Sequence, residues 1–193
     1  IRVMLDAVFN HCGASFGPWQ DVLQKGPASR YWNWFMVNRW PAPAPGRDTR
    51  DSRYYSFAFA SNMPKLNTNE PEVIEYVCGL CERWVGEYGV DAIRFDVGNE
   101  LHRRLRAIRP DVYLLGEIWH DASPWLEGDE YDAVMNYPLQ QAVKGFFAHS
   151  DKTARMLAWD LYRCMGMYRR QTGQVMFNLL DSHDTDRLFT RAG

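Results

Sequence analysis

The sequence has little that would take it to a membrane, to nucleic acid or into a disulfide framework. Its 193 residues contain no apolar run near the roughly 18 that a membrane-spanning helix needs, and no basic start followed by an apolar stretch that would mark a secretion signal. Charge of one sign is missing too: 22 Lys and Arg stand against 24 Asp and Glu, a net charge of -2, which gives polyanions and anionic membranes no basic surface to bind. Cysteine is scarce. Cys12, Cys78, Cys81 and Cys164 are too few for a disulfide scaffold in a chain of this length, and free thiols favour a reducing, cytoplasmic compartment. Cys78 and Cys81 form a CxxC, yet "EPEVIEYVCGLCERWVGEYG" repeats its apolar residues at helical spacing. Both thiols are therefore expected mid-helix, away from the helix N-terminus where a redox pair is activated, and neither a second CxxC nor a His pair stands near for zinc.

What is present is apolar material, 46% hydrophobic and 15% aromatic, enough for a sizeable core. Five short segments read as buried strands: "RVMLDAVF" (2–9), "VDAIRFDV" (90–97), "VYLLGEIW" (112–119), "YDAVMNY" (131–137) and "GQVMFNLLD" (173–181). The chain opens at Ile1 inside the first of these, so a fragment of a longer protein is expected. Helical patterns fill 70–88, with Pro71 in the first turn, and 99–108, 138–150 and 152–170. Strands separated by helices predict parallel βαβ units and an α/β fold. The exception runs from Cys12 to Leu66, rich in Trp, Pro, Gly and Asn and containing "PAPAPG". It is too long for an ordinary loop and is expected to be an inserted subdomain or lid.

Each strand runs into polar chemistry. The first ends in Asp6, Asn10 and His11, the second in Arg94 and Asp96, the third in Glu117, the fourth in Asp132 and Asn136, and the fifth in Asp181, His183 and Asp184. Any one of these is more often a helix cap or a satisfied polar group than a catalyst. Five together, at the strand ends where parallel α/β folds place their sites, predict one shared cleft.

Asp96, Glu117 and Asp184 from three strand ends could hold a divalent cation or carry out acid-base and nucleophilic chemistry. Arg94 argues for the second, because a guanidinium two residues from Asp96 on the same strand face keeps that carboxylate ionised without a metal. Glu117, between Leu114-Leu115-Gly116 and Ile118-Trp119, has the apolar sequence neighbours that keep a carboxyl protonated as a general acid. An ionised carboxylate beside a protonated one is the division of labour in glycoside hydrolysis, and a separation of about 5 to 5.5 Å makes it retaining. His11 and His183 suit sugar hydroxyls, and Trp32, Trp34, Trp40, Tyr54, Tyr55, Trp119 and Trp125 offer flat faces for pyranose rings.

"DAVFNH" (6–11), "IRFDVGNE" (93–100), "GEIW" (116–119) and "LLDSHDTDR" (179–187) resemble, in order and approximate spacing, the four signature regions of the α-amylase family, glycoside hydrolase family 13. "MPKLN" (63–67) and "AVMNYP" (133–138) resemble the extra motifs of its neopullulanase, cyclomaltodextrinase and maltogenic amylase branch, as does Asn99-Glu100. The resemblance implies a partial (β/α)8 TIM barrel, about strands three to seven, in residues 1–11 and 67–193, with 12–66 as the inserted lid subdomain. It implies Asp96 as nucleophile, Glu117 as acid/base and Asp184 as the carboxylate that stabilises the transition state. Arg94 then supports the nucleophile, and His11 and His183 bind the sugar before the scissile bond. Glu100 and Trp119 are expected on the acceptor side. Asn10 matches a calcium ligand of true α-amylases; no cofactor is required in this branch, and calcium stays an optional one.

By the same likeness the substrates are α-glucans: cyclodextrins, pullulan or maltooligosaccharides. The full-length protein is expected as a homodimer, and the isolated fragment as a poor hydrolase, since a whole barrel takes about 250 residues. A transglycosylase or sucrose/trehalose-type isomerase of the same family is the near alternative, and an inactive carbohydrate-binding module the distant one. A metal-dependent phosphohydrolase read from "HDTD" (183–186) lacks a further His cluster. Only nine residues separate Glu100 from Pro110, where relatives carry a helix about two turns longer, and a helix near 11 residues spans only about 16 Å.

Overall fold

In the computed structural model, residues 1–42, 53–95, 99–188 and 190 are described, with Phe59, Asn99 and Glu100 described by backbone alone. Two compact units divide the chain: Asp6–Gly89, and Ile1–Leu5 together with Val90–Gly193.

The second of these units is built on a parallel sheet. Strands β1 (Met4–Ala7), whose first two residues belong to this unit, β2 (Ala92–Phe95), β3 (Tyr113–Gly116) and β4 (Ala133–Val134) lie in the order β1-β2-β3-β4. The β2–β3 and β3–β4 pairs are parallel, with Arg94 opposite Leu115 and Gly116 opposite Val134. Every residue of β2 is buried, including Arg94, as expected of a central parallel strand covered on both faces. The start of β2 is tied down by Asp91, whose carboxylate accepts from Val3 N at 2.8 Å and from Arg109 at 2.6 Å. These two donors hold the Asp91 carboxyl below its ordinary range.

Helix α3 (Asn99–Ile108) turns Leu101 and Leu105, one turn apart, into the core. Helix α4 (Tyr137–Phe147) begins at Asn136, whose side chain accepts from Leu139 N at 3.3 Å, with Pro138 in the first turn, a conventional N-cap. Helix α5 (Ala154–Met167) is capped in the same way by Thr153, and α6 (Arg170–Val175) follows it.

The segment expected as a fifth strand, 173–181, differs. Its first residues complete α6, and only Phe177 reaches the sheet, as a single parallel bridge to Met135. Strand β4 is itself two residues long, and α6 runs to Val175, two residues before the bridge at Phe177.

The Asp6–Gly89 unit is held by aromatic packing. Helix α1 (Gly17–Lys25), which the sequence does not announce, buries Trp19 and Val22. The Trp19 ring sits 4.8 Å from both Phe35 and Tyr54, tilted in each case, an offset geometry that aromatic quadrupoles favour. Leu66, Trp34, Val73 and Val77 complete that core. The last two come from α2 (Pro71–Gly86), whose buried Val73, Val77, Cys78, Cys81 and Val85 form one face. Cys78 and Cys81 lie mid-helix, and burial pushes the Cys81 thiol up to about 12, so it packs as an inert hydrophobe. Trp34 and Tyr54, possible sugar platforms by sequence, are core residues: Trp34 Nε1 donates to Glu72 at 2.9 Å and the Tyr54 hydroxyl to Ser61 O at 2.7 Å.

Candidate active site

The ends of β2 and β3 bring charged groups together in the Val90–Gly193 unit. Arg94 lies opposite Leu115, and Glu117, two residues further along, points to the same face of the sheet. Their side chains form an ion pair, with Arg94 11% and Glu117 23% exposed. The same guanidinium nitrogen is 3.9 Å from Asp184 Oδ2, so one buried cation stands between two carboxylates. His183 Nε2 lies 3.1 Å from that Asp184 oxygen. Gly116, just before Glu117, is required by close packing: a Cβ there would come within 2.6 Å of the Tyr131 ring.

The surroundings of Glu117 differ from the apolar setting read from its sequence neighbours. Leu114 and Leu115 are buried in the sheet, while the Glu117 carboxyl meets the Arg94 guanidinium and the Tyr137 hydroxyl, which donates to Oε1 at 2.9 Å. Tyr137 is fully buried at the start of α4, and its ring stacks on Trp119 at 3.7 Å and 7°. Burial, reinforced by the Glu117 bond and charge, pushes the Tyr137 phenol up to about 12 although Ser182 and Arg94 act against it. The phenol is thus a neutral donor across the working pH range. Sequence reasoning missed Tyr137 and Ser182 as members of the site. The "AVMNYP" motif was the available signal for the first.

Several strand-end groups serve the backbone. Asp132 pairs with Arg106 and accepts from Leu114 N at 2.8 Å; Asn136 caps α4; Asp181 accepts from Arg187 at 2.9 Å and Leu188 N at 3.0 Å. Asp96 lies outside the described residues, as does the side chain of Glu100.

His11 and Asn10 belong to the other unit. The His11 ring stacks on Phe57 at 4.4 Å and 9°, and burial together with the charge of Lys65 pushes its pKa down. Its Nδ1 is buried with no hydrogen-bond partner among the described residues. The Asn10 amide oxygen, the expected calcium ligand, accepts from the Lys65 ammonium. A cation already on that oxygen repels a divalent one, so the Asn10 oxygen as it is engaged here does not fit calcium.

The sequence matches the family described as alpha amylase, catalytic domain, over residues 1–107 and 99–193. The two stretches overlap on residues 99–107, within α3. A cyclomaltodextrinase of Geobacillus thermopakistaniensis (strain MAS1) is 49% identical over 201 residues, covering 100% of this chain and 34% of its own length. An intracellular maltogenic amylase of Bacillus subtilis (strain 168) is 43% identical over 199 residues, covering 99% of the chain and 33% of its own length. Among solved structures, a cyclomaltodextrinase superposes with a TM-score of 0.92 at 46% identity, covering 100% of this chain and 34% of that one. The chain spans about a third of the length of the curated relatives it matches. A family match that runs from the first residue to the last, on a parallel α/β sheet, means that this chain belongs to the alpha-amylase family.

Proposed function

We propose that the chain carries the catalytic side of a retaining α-glucan hydrolase acting on cyclodextrins, pullulan or maltooligosaccharides. The observation that carries the reading is the convergence of Glu117, Asp184 and Arg94 from three separate segments, with a neutral phenol on the same glutamate. The relatives named cyclomaltodextrinase and maltogenic amylase support the substrate class.

In this reading Asp96 attacks the anomeric carbon, and the bond to the leaving oxygen breaks as Glu117 delivers a proton to that oxygen. Water then attacks the glycosyl-Asp96 ester while ionised Glu117 takes its proton. Arg94 and the Tyr137 hydroxyl orient that ionised form. Asp184 faces the oxocarbenium-like charge of both transition states. His183 and His11 bind the sugar, and Trp119, 46% exposed and backed by Tyr137, offers its face to the acceptor side together with Glu100. No step runs through calcium.

The architecture proposed is part of a (β/α)8 barrel, about strands three to seven, with 12–66 as the lid subdomain and the remainder in a longer, homodimeric polypeptide. The name of the Bacillus subtilis relative supports a cytoplasmic setting, and no helix among the described residues is long and apolar enough to cross a membrane. Transglycosylation with the same residues is the second reading, favoured by the aromatic platform beside Glu117.

The test is Glu117→Gln in the full-length protein with a cyclodextrin as substrate. The expected result is a loss of about 1,000-fold or more in kcat with the fold retained. Near-normal turnover overturns the assignment.

A further inference from the structure

Helix α4 touches the site twice. At its first residue the Tyr137 hydroxyl bonds Glu117 at 2.9 Å. Seven residues on, two turns and about 10 Å along the axis, Lys144 lies on the same face and is 7% exposed. Its ammonium donates to the main-chain oxygen of Asp186 at 3.0 Å. A long cationic side chain is rarely buried without a task, and the sequence offers no reason to single out this one.

The segment Lys144 reaches is the one that carries Asp184. Asp181 closes it by accepting from Arg187 and Leu188 N, and within it Ser182 N donates to Thr185 Oγ1 at 2.9 Å while Asp184 N donates to Ser182 Oγ at 3.3 Å. Lys144 also lies close enough to Asp181 for its charge to help keep that carboxylate ionised. The closed loop is internally braced, and Lys144 anchors it to a helix.

We propose that α4 is the spacer that fixes Glu117 and Asp184 relative to one another, with Lys144 as the positioning residue for Asp184. Glu117 is held from the first turn of the helix and the Asp184 loop from a point two turns later, so a rigid α-helix sets the distance between the two carboxylates. This rests on the roles given above to Glu117 and Asp184. Lys144 touches neither substrate nor reacting atoms; it acts through the Asp186 carbonyl.

The test is made on the full-length protein with a cyclodextrin. Lys144→Met removes the ammonium and keeps the chain length. It is expected to lower kcat per folded molecule by about 10- to 100-fold, because small displacements of a catalytic group cost that much, while KM stays within about twofold. Lys144→Arg, long enough to reach the same carbonyl, restores most of kcat. A purely structural lysine would lower the melting temperature and leave kcat per folded molecule unchanged, and that result overturns the inference. Should Lys144→Met fail to fold, Lys144→Gln is judged by the same split. Glu117→Gln is assayed alongside: if it is inactive and the Lys144 variants are normal, only the spacer role falls. If Glu117→Gln turns over normally, the catalytic reading falls first.

Discussion

Two buried clusters in this chain are built on opposite principles. In the Asp6–Gly89 unit, the Trp19 ring packs against those of Phe35 and Tyr54 in a cluster that includes Leu66, and the polar atoms of Trp34 and Tyr54 end on a carboxylate and a main-chain carbonyl. In the Val90–Gly193 unit, a guanidinium, two carboxylates and a phenol meet at the ends of two central strands. The first arrangement gains its stability chiefly from removing apolar area from water. The second holds ionisable groups in partial burial, where each depends on its partner, and it gains little net stability in return. A protein keeps such a cluster for what it does chemically.

This contrast can be broken in order of expected effect. Trp19→Ala should cost about 3–5 kcal/mol by the loss of a fully packed indole, measured by urea unfolding; a change below about 1 kcal/mol would mean that the aromatic cluster is loosely packed. Arg94→Met should cost about 3 kcal/mol, since it strands Glu117 among buried groups without its cation. The double variant Arg94→Met with Glu117→Met should recover most of that stability while abolishing activity. If the double variant is no more stable than the single one, the cost lies in packing and not in the stranded charge.

The smallest effect concerns His11. Burial and the Lys65 charge hold its folded pKa below the ordinary value, so the unfolded chain takes up a proton first as pH falls through about 6.5. Stability should therefore decline from that pH downward until the folded pKa is passed, and His11→Gln should flatten this part of the profile. An unchanged slope would contradict the described environment of His11.

Much of this was legible in the sequence because period and spacing carry it. The alternation around Ile93-Arg94-Phe95 placed the arginine on a buried strand, and the order of strand ends placed Glu117 and Asp184 in one cluster with it. Spacing of two along one strand pointed from Arg94 to Asp96, which lies outside the described residues. The ion pair of Arg94 with Glu117 was not legible, because the register that sets Arg94 opposite Leu115 creates it. Tyr137 and Lys144 were hidden for a similar reason, since each acts through a tertiary contact that no local pattern encodes. Asp132 and Asp181 show the converse: as residue types at strand ends they look like Glu117, but their acceptors are taken by backbone N–H groups and neighbouring arginines. Helix α1 was hidden among Trp, Pro and Gly, and the fifth strand was over-read because its apolar run continues out of a helix.

Glu117 is proposed as the proton donor to the departing sugar. The most direct test of that role compares Glu117→Gln on two substrates in the full-length protein: a cyclodextrin, whose leaving oxygen needs a proton, and maltosyl fluoride, whose leaving group does not. A proton-donating Glu117 means a loss of about 1,000-fold on the cyclodextrin and less than about tenfold on the formation of the glycosyl-enzyme from the fluoride. Equal losses on both substrates, or none on either, would contradict it.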